Sequence, residues 1–358
     1  MSGHVLQVLA TPSGGGAELL VRELNDRLTL YGFSSDAVGF SGSPLPSCAS
    51  LGSLSPRSPV VIRRLRRFLL RLKAQHDQLI VHAHLIWPLL YVPLAARGLD
   101  IPLVFTEHNT WNGLRRAPWT SLIERLAYGR YCRVICISEG VRDALQPRLG
   151  RPPSPSLSVI HNGGRRFDLV ERAGREGGLR LVSVGSLTRQ KGFDVAIDAV
   201  ARCGELVSEY RILGEGPLRD DLRGQITARG VADKVRLVGW SEHVEPHYAW
   251  ADVMLVPSRW EGFGLSAAEA MSTGLPIIAS DVPGLREVVG SGNIGAQLVH
   301  PGNASAWAAA IRRWAVDRRQ LPALGRICHA RAGAFSLDRM TQSYAELYRQ
   351  VMEECGVG

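Results

Sequence analysis

Lysine is scarce in this chain of 358 residues: only Lys73, Lys191 and Lys234 stand among 42 basic residues, so a lysine in any particular loop is unexpected by chance. The six cysteines (Cys48, Cys132, Cys136, Cys203, Cys328, Cys355) are scattered and form no Cys-x-x-Cys pair. That argues against a zinc site and against a dense disulfide framework, and fits a reducing compartment. No uncharged apolar stretch approaches the roughly 18 residues of a membrane span. The opening, MSGHVLQVLATPSGGG, lacks the basic start and long apolar centre of a secretion signal. There is no tandem repeat. The expectation is a cytosolic protein.

What is present divides the chain in two. At about 150 residues per domain the length suggests two domains, and 45% hydrophobic with 21% charged residues is ordinary globular usage. Residues 1–170 carry 20 basic and 11 acidic side chains and so hold the whole net charge of +9, while the remainder balances at 22 of each. A basic half points to an anionic partner surface.

Short β-rich apolar runs alternate with helical patterns from end to end, the rhythm of parallel, doubly wound sheets. Strands are expected at Val5–Leu9, Gln78–Ala83, Leu103–Thr106, Val134–Ile137 and Leu157–Ile160. Helices are expected at Ala17–Tyr31, Ile86–Ala96, Trp119–Tyr128 and Glu139–Leu145, the last stopped by Pro147. The pattern breaks at Gly163–Gly178, the best linker candidate. It restarts with strands at Leu179–Val184, Tyr210–Leu213, Val235–Val238, Val253–Val256, Pro276–Ala279 and Ala296–Val299. The helices between them fit Phe193–Ala201, Leu218–Ala228, Leu265–Thr273, Leu285–Val289 and Ala304–Val316. The loop Ser41–Pro59, rich in Ser, Pro and Gly, reads as mobile. A last helix near Leu337–Glu354 places Met340, Tyr344, Leu347, Tyr348 and Val351 at helical spacing and reads as a packing helix.

Three strand–helix junctions carry chemistry. Gly14-Gly15-Gly16-Ala17-Glu18 follows the first strand, where glycines let the backbone approach an anion at a helix N-terminus. It is not Gly-x-Gly-x-x-Gly, so it reads equally as a plain βα turn. Gly185-Ser-Leu-Thr-Arg189-Gln-Lys191-Gly192 sets two cations at a helix start, where Arg189 can bond a diphosphate in a bidentate way and Lys191 acts as a point charge. Taken alone, it also reads as a solvated basic loop. The segment Pro257–Ala270 is the richest, with Glu261 in a loop, Glu269 in the second turn of a helix, and the Gly262–Leu265 amides between them. Two carboxylates flanking an anion-binding nest suit a ligand with a diphosphate between hydroxyl-bearing groups, the layout of a nucleotide sugar.

At these residues the chain resembles glycosyltransferase family 4, retaining nucleotide-sugar transferases of the GT-B fold. The Glu-x7-Glu segment Glu261–Glu269 continues into Ala270-Met271-Ser272-Thr273-Gly274-Leu275-Pro276. Supporting matches run in order: Gly14–Glu18, Thr106-Glu107-His108-Asn109, Ile137-Ser138-Glu139, His161-Asn162-Gly163, Gly185–Gly192, Gly214-Glu215-Gly216-Pro217 and Ala251–Ser258. The resemblance implies an α/β fold of two Rossmann-like doubly wound domains facing a central cleft. The expected division is residues 1–165 for the acceptor, 166–335 for the nucleotide sugar, and a C-terminal helix in 336–358 crossing back to the first domain.

It implies Glu269 on the donor's ribose, Glu261 on the transferred sugar, and Arg189 and Lys191 on the diphosphate, stabilising charge as it leaves. The amides of Phe263, Gly264 and Leu265 would add donors, with Gly15 and Gly16 approaching from the first domain. His108 matches the family's cleft histidine; the catalytic set is then Glu261, His108, Arg189 and Lys191. Glu18, Asn109 and Trp111 are acceptor-side candidates. The family works without a metal or other cofactor. Two departures stand out. Ser186 occupies a position where the family often has arginine, and Asn162-Gly163-Gly164-Arg165 replaces the usual Asn-Gly-Val-Asp, which makes either the hinge looser or the entrance more basic.

In residues 61–73, VIRRLRRFLLRLK, the residues Val61, Ile62, Leu65, Phe68, Leu69 and Leu72 share one helical face and basic residues take the rest. Such a helix either lies on an anionic membrane or is a surface helix with a solvated basic side. The segment Trp111–Trp119, with Arg115 and Arg116 between tryptophans, either touches lipid or lines the acceptor pocket. No nucleic-acid motif accompanies the charge. The expectation is an enzyme peripheral on the inner face of the cell membrane. It would pass a sugar, from a UDP-sugar ahead of a GDP-sugar, to a lipid-linked saccharide of a surface polysaccharide such as capsule, exopolysaccharide or O-antigen. A transferase for a soluble acceptor and a catalytically silent scaffold are the alternatives.

Overall fold

A computed structural model describes residues 3–11, 15–42, 48–52, 55–110, 120–149, 156–172, 176–290 and 295–356. The chain forms two compact units, one built from Met1–Gly163 together with Leu337–Gly358, the other from Gly164–Ser336.

The first unit contains a seven-stranded sheet of β1 (His4–Leu9), β2 (Ser34–Gly39), β3 (Cys48–Ser50), β4 (Leu79–His84), β5 (Leu103–Glu107), β6 (Arg133–Cys136) and β7 (Ser156–Val159). Their order is β3-β2-β1-β4-β5-β6-β7, and every neighbouring pair is parallel. The second unit repeats the plan with β8 (Leu179–Val184), β9 (Val207–Leu213), β10 (Val235–Gly239), β11 (Val253–Val256), β12 (Ile277–Ser280) and β13 (Ala296–Val299), in the order β10-β9-β8-β11-β12-β13. Parallel strands need crossovers, and the helices that supply them cover both faces of a sheet. Hence β1, β4 and β5 are buried along their whole length. In each unit the winding reverses once, between β1 and β4 and between β8 and β11. Ligands of doubly wound sheets bind outside the strand ends at such reversals.

Most expected elements stand where periodicity put them, and several did not. The helix Glu139–Leu149 runs through Pro147. The proline removes one amide near the helix end, and the buried stripe Val141, Leu145 and Leu149 holds the last turn. The segment Ser41–Pro59, expected to be a mobile loop, contributes β3, which pairs with the unexpected β2, and Arg64 Nη1 donates to Leu51 O at 2.7 Å. The linker candidate Gly163–Gly178 is fastened along the second unit as far as Arg172. Phe167 N donates to Ser272 Oγ at 2.9 Å, and the half-buried Arg172 guanidinium reaches the carbonyls of Val170, Tyr248, Ala251 and Thr273. The helices Glu245–Trp250 and Leu321–Ala332 had no counterpart in the sequence reading.

The helix Leu337–Glu354 buries Met340, Tyr344, Leu347, Tyr348 and Val351 in the first unit. The second unit is thus bounded by Gly164 and Ser336, which form a parallel bridge, with Gly164 N donating to Phe335 O at 2.9 Å. Among the described residues, no helix is long and apolar enough to cross a membrane.

Candidate functional site

In the second unit the two loops at the winding reversal, 185–192 after β8 and 257–264 after β11, are locked to each other. Gly192 has φ +65, and a Cβ there would lie 2.1 Å from Pro257 O, so this close approach requires glycine. Arg259 N donates to Gln190 O at 2.7 Å, and Gln190 Nε2 donates to Trp260 O at 3.1 Å. The Arg259 guanidinium forks onto Asp194 at 2.8 and 2.6 Å and also reaches Arg189 O at 2.9 Å.

This frame carries Arg189 and brings Lys191 and Glu261 together. Arg189 to Lys191 form a single 3-10 turn. Lys191 Nζ lies 2.7 Å from Glu261 Oε2, which also accepts from Ser258 Oγ at 3.1 Å. The Arg189 side chain is exposed, and its guanidinium has no partner among the described residues. Phe263 is buried edge-on against Phe335. Gly264, at φ +105, turns the chain into the helix Leu265–Ser272. On that helix Glu269 accepts from Arg165 Nε at 2.9 Å. A Cβ on Gly164 would sit 3.3 Å from Glu269 Cγ. The unusual Gly164-Arg165 pair therefore packs on Glu269 and supplies its cation. Ser186 is exposed beside Leu187.

In the first unit Gly15 caps the helix Gly16–Arg27 without a side-chain bond. The Glu18 carboxylate folds back over Gly15, 2.2 Å from where a Cβ would stand, and burial raises its pKa. Gly14 and Trp111–Trp119 lie outside the described residues, Trp111 among them. Asn109 N donates to Glu107 Oε1 at 3.0 Å, and Glu107 also accepts from Tyr128 OH.

His108 follows β5 and meets a cluster that sequence reasoning missed. Its Nε2 is 3.2 Å from His84 Nδ1, and His84 Nε2 is 2.8 Å from Gln7 Oε1. His82 lies between Tyr348 OH at 2.6 Å and Thr106 Oγ1 at 2.7 Å. Burial takes His108 down to about 4 and holds His82 and His84 well below the usual histidine range, so all three rings are neutral at pH 7. The signal was His82-Ala-His84 in an otherwise apolar run, two polar rings on one face of a buried strand. Among the described residues no group of three or more His, Cys, Asp or Glu side chains is arranged to hold a metal ion.

The basic helix is Val60–Gln75, and its apolar stripe is spent on the fold: Val61, Leu65, Leu69 and Leu72 are buried. The membrane reading of 61–73 therefore loses the face it depended on. Several of the cations are tethered as well, Arg66 to the carbonyls of Ala95 and Arg97, and Lys73 to that of Leu99. The helix Thr120–Tyr128 instead leaves Leu122, Ile123 and Leu126 exposed at 60, 40 and 63%.

Residues 14–163 match the family model Glycosyltransferase Family 4, and residues 178–317 match the model Glycosyl transferases group 1. A glycogen synthase of Mycobacterium tuberculosis is 32% identical over 248 residues, 65% of this chain, and the match spans only 59% of that protein. An alpha-D-kanosaminyltransferase of Streptomyces kanamyceticus is 27% identical over 91% of this chain and 88% of its own length. Other relatives bear names from amylovoran and lipopolysaccharide core biosynthesis. Among solved structures, HepE of Anabaena in complex with UDP-glucose superposes with a TM-score of 0.81 at 20% identity, over 97% of this chain and 99% of that one. At that identity the likeness is one of fold, the GT-B arrangement of two Rossmann-like units.

Proposed function

The chain belongs to the family 4 glycosyltransferases, and from that premise we propose that it transfers a sugar from a nucleotide-diphosphate sugar with retention of anomeric configuration and without a metal. The observation that carries this reading is the pair of interlocked loops at the β8–β11 reversal. They hold Lys191 against Glu261 and leave the Arg189 guanidinium open to solvent.

In this reading Arg189, Lys191 and the amides of Phe263, Gly264 and Leu265 hold the diphosphate, and Gly15 and Gly16 add to the donor contacts. The two cations stabilise the charge that develops as the diphosphate leaves. Glu269 takes the ribose hydroxyls and Glu261 the transferred sugar. His108, neutral at working pH, contacts a sugar or acceptor hydroxyl, with Glu18, Asn109 and Trp111 on the acceptor side. A uridine donor is favoured over a guanosine one. The HepE structures solved with UDP and with UDP-glucose support that choice.

The acceptor we favour is a lipid-linked saccharide in surface-polysaccharide synthesis at the inner membrane face. The relatives named for amylovoran and lipopolysaccharide core synthesis support it. So does the exposed apolar face of Thr120–Tyr128 beside the exposed Arg125 and Arg130. A second reading, a soluble acceptor, gains from the buried stripe of Val60–Gln75 and from the kanosaminyltransferase, whose match covers most of both chains.

The test is a thermal-shift panel of UDP, GDP, ADP and their glucose and mannose conjugates. A ligand at 100 times its dissociation constant adds about 2.7 kcal/mol, so stabilisation by uridine compounds alone is expected. Stabilisation by guanosine compounds alone would overturn the donor choice, and none with any nucleotide would overturn the donor site.

A further inference from the structure

The polar groups that cross the core of the first unit can be assigned protons in one consistent direction. Gln7, in the middle of β1, turns its Oε1 to His84 Nε2 and its Nε2 to Tyr348 OH, at 2.8 and 3.4 Å. The amide nitrogen only donates, so Tyr348 accepts from it and gives its own proton to His82 Nδ1, 2.6 Å away. His82 then carries its proton on Nε2 and donates to Thr106 Oγ1 at 2.7 Å. On the other side of Gln7, the amide oxygen only accepts, so His84 holds its proton on Nε2. A neutral His84 is left with a bare Nδ1, and the 3.2 Å contact with His108 Nε2 can form only if His108 supplies the proton. His108 therefore ends the chain with its own Nδ1 bare and without a partner among the described residues. It is also the most exposed of the three rings, at 8% against 0 and 1% for His82 and His84.

We infer that Gln7, His84 and Tyr348 form a proton-ordered relay that fixes His108 as the Nε2–H tautomer, so that its Nδ1 is a hydrogen-bond acceptor for a substrate hydroxyl. The inference rests on the reading of His108 as a substrate contact. Gln7, His84 and Tyr348 are positioning residues, since none of them touches the ligand. The tautomer of a histidine is set by the bond its other nitrogen makes, and here that bond leads back to a tyrosine on the C-terminal helix.

The backbone supports the arrangement. Leu85, directly after His84, has φ 69 and ψ 175, a region that side-chain-bearing residues avoid, and strain of this kind persists where the surroundings over-determine it. Functionally, a neutral imidazole that presents a bare nitrogen takes a hydroxyl and repels an oxyanion. With its pKa taken down to about 4 by burial, it is also a poor proton acceptor at pH 7, so it recognises a hydroxyl without deprotonating it.

The test is 15N NMR of the full chain labelled at the histidine rings, in the wild type and in Gln7→Met, Tyr348→Phe and Tyr344→Phe, each first checked for a cooperative melt. The wild type should show His108 protonated at Nε2. Gln7→Met removes the acceptor that orders His84, so the single tautomer at His108 should be lost. Tyr344, whose hydroxyl among the described residues bonds only Thr106 on the far side of His82, is the control and should leave His108 unchanged. If Gln7→Met does not fold, Tyr348→Phe replaces it, because Gln7 is then free to turn over. A wild-type His108 protonated at Nδ1, or a tautomer that survives both substitutions, overturns the relay. His108→Ala separates the two claims through nucleoside diphosphate release from UDP-glucose, GDP-mannose and ADP-glucose. Unchanged release overturns the substrate contact, whatever the spectra show.

Discussion

Lys191 and Glu261 meet at 2.7 Å across the two loops of the second unit, with side chains only 20 and 11% exposed. Among the described residues Glu261 is therefore held by one cation and one hydroxyl, Ser258, and in the proposed reading that cation also meets the departing diphosphate. Lys191→Met should lower turnover about 100-fold, the usual loss for one donor to a developing charge. It should lower stability by only about 1–3 kcal/mol, for the half-satisfied carboxylate left behind. Turnover and chemical denaturation on the same preparation check both, and a stability loss with wild-type turnover in the folded fraction would make the pair purely structural.

Gly192→Ala tests the lock between those loops. The new Cβ would stand 2.1 Å from Pro257 O at φ +65, whereas Gly204, at φ +55, has nothing within 4 Å. Gly192→Ala should cost roughly 1–3 kcal/mol and most of the activity. Gly204→Ala carries the backbone strain without the clash, so it should keep full turnover.

Glu269 is engaged by Arg165 at 2.9 Å. If it takes the ribose, Glu269→Ala should weaken UDP about 10- to 100-fold, the value of a charged hydrogen bond. Arg165→Ala should tighten UDP by up to about fivefold, since an ion pair this exposed is worth less than about 1 kcal/mol. Calorimetric titration with UDP distinguishes the two directions.

Acid should destabilise the first unit through its buried histidines. His82, His84 and His108 have folded pKa values below the ordinary value of 6.5, His108 at about 4. The unfolded chain thus binds more protons between those limits, and the stability they contribute is complete above pH 6.5 and lost as pH falls toward 4. Near pH 5.5 His108 adds about 1.2 kcal/mol per pH unit to the slope, and His82 and His84 act in the same direction. Denaturation curves from pH 5 to 8 should show it, and His84→Gln should flatten it.

Attachment to an anionic surface should follow the helix Thr120–Tyr128. A double Leu122→Ser, Leu126→Ser variant should melt like the wild type and no longer co-sediment with phosphatidylglycerol vesicles at low salt. Leu65→Ala, in the buried stripe of Val60–Gln75, should cost about 2–5 kcal/mol and leave vesicle binding in the folded fraction unaltered.

The loops of the second unit were legible because glycine, a rare lysine and two carboxylates mark strand ends by chemistry that no core requires. The histidine relay was not, since His82 and His84 interrupt an apolar strand whose pattern reads as plain core, and their partners Gln7 and Tyr348 lie far away in sequence. Amphipathicity showed that Val60–Gln75 has an apolar face, but periodicity is silent on whether that face meets lipid or the neighbouring helix. The helix Leu321–Ala332 was hidden by Gly325, a poor helix former; a Cβ there would lie 2.2 Å from Gly274 O, so packing overrides propensity.

The route of the chain also sets the order in which its parts can be completed. Ribosomes deliver about 5–20 residues per second, and early domains generally fold first. Here the order is inverted. The inner unit has all its residues once Ser336 emerges, while the outer unit still lacks the helix Leu337–Glu354. Until Tyr344 and Tyr348 arrive, Gln7, His82 and Thr106 are without the hydroxyls that satisfy them in the finished core. The first sheet therefore lacks these partners until the helix Leu337–Glu354 has been made.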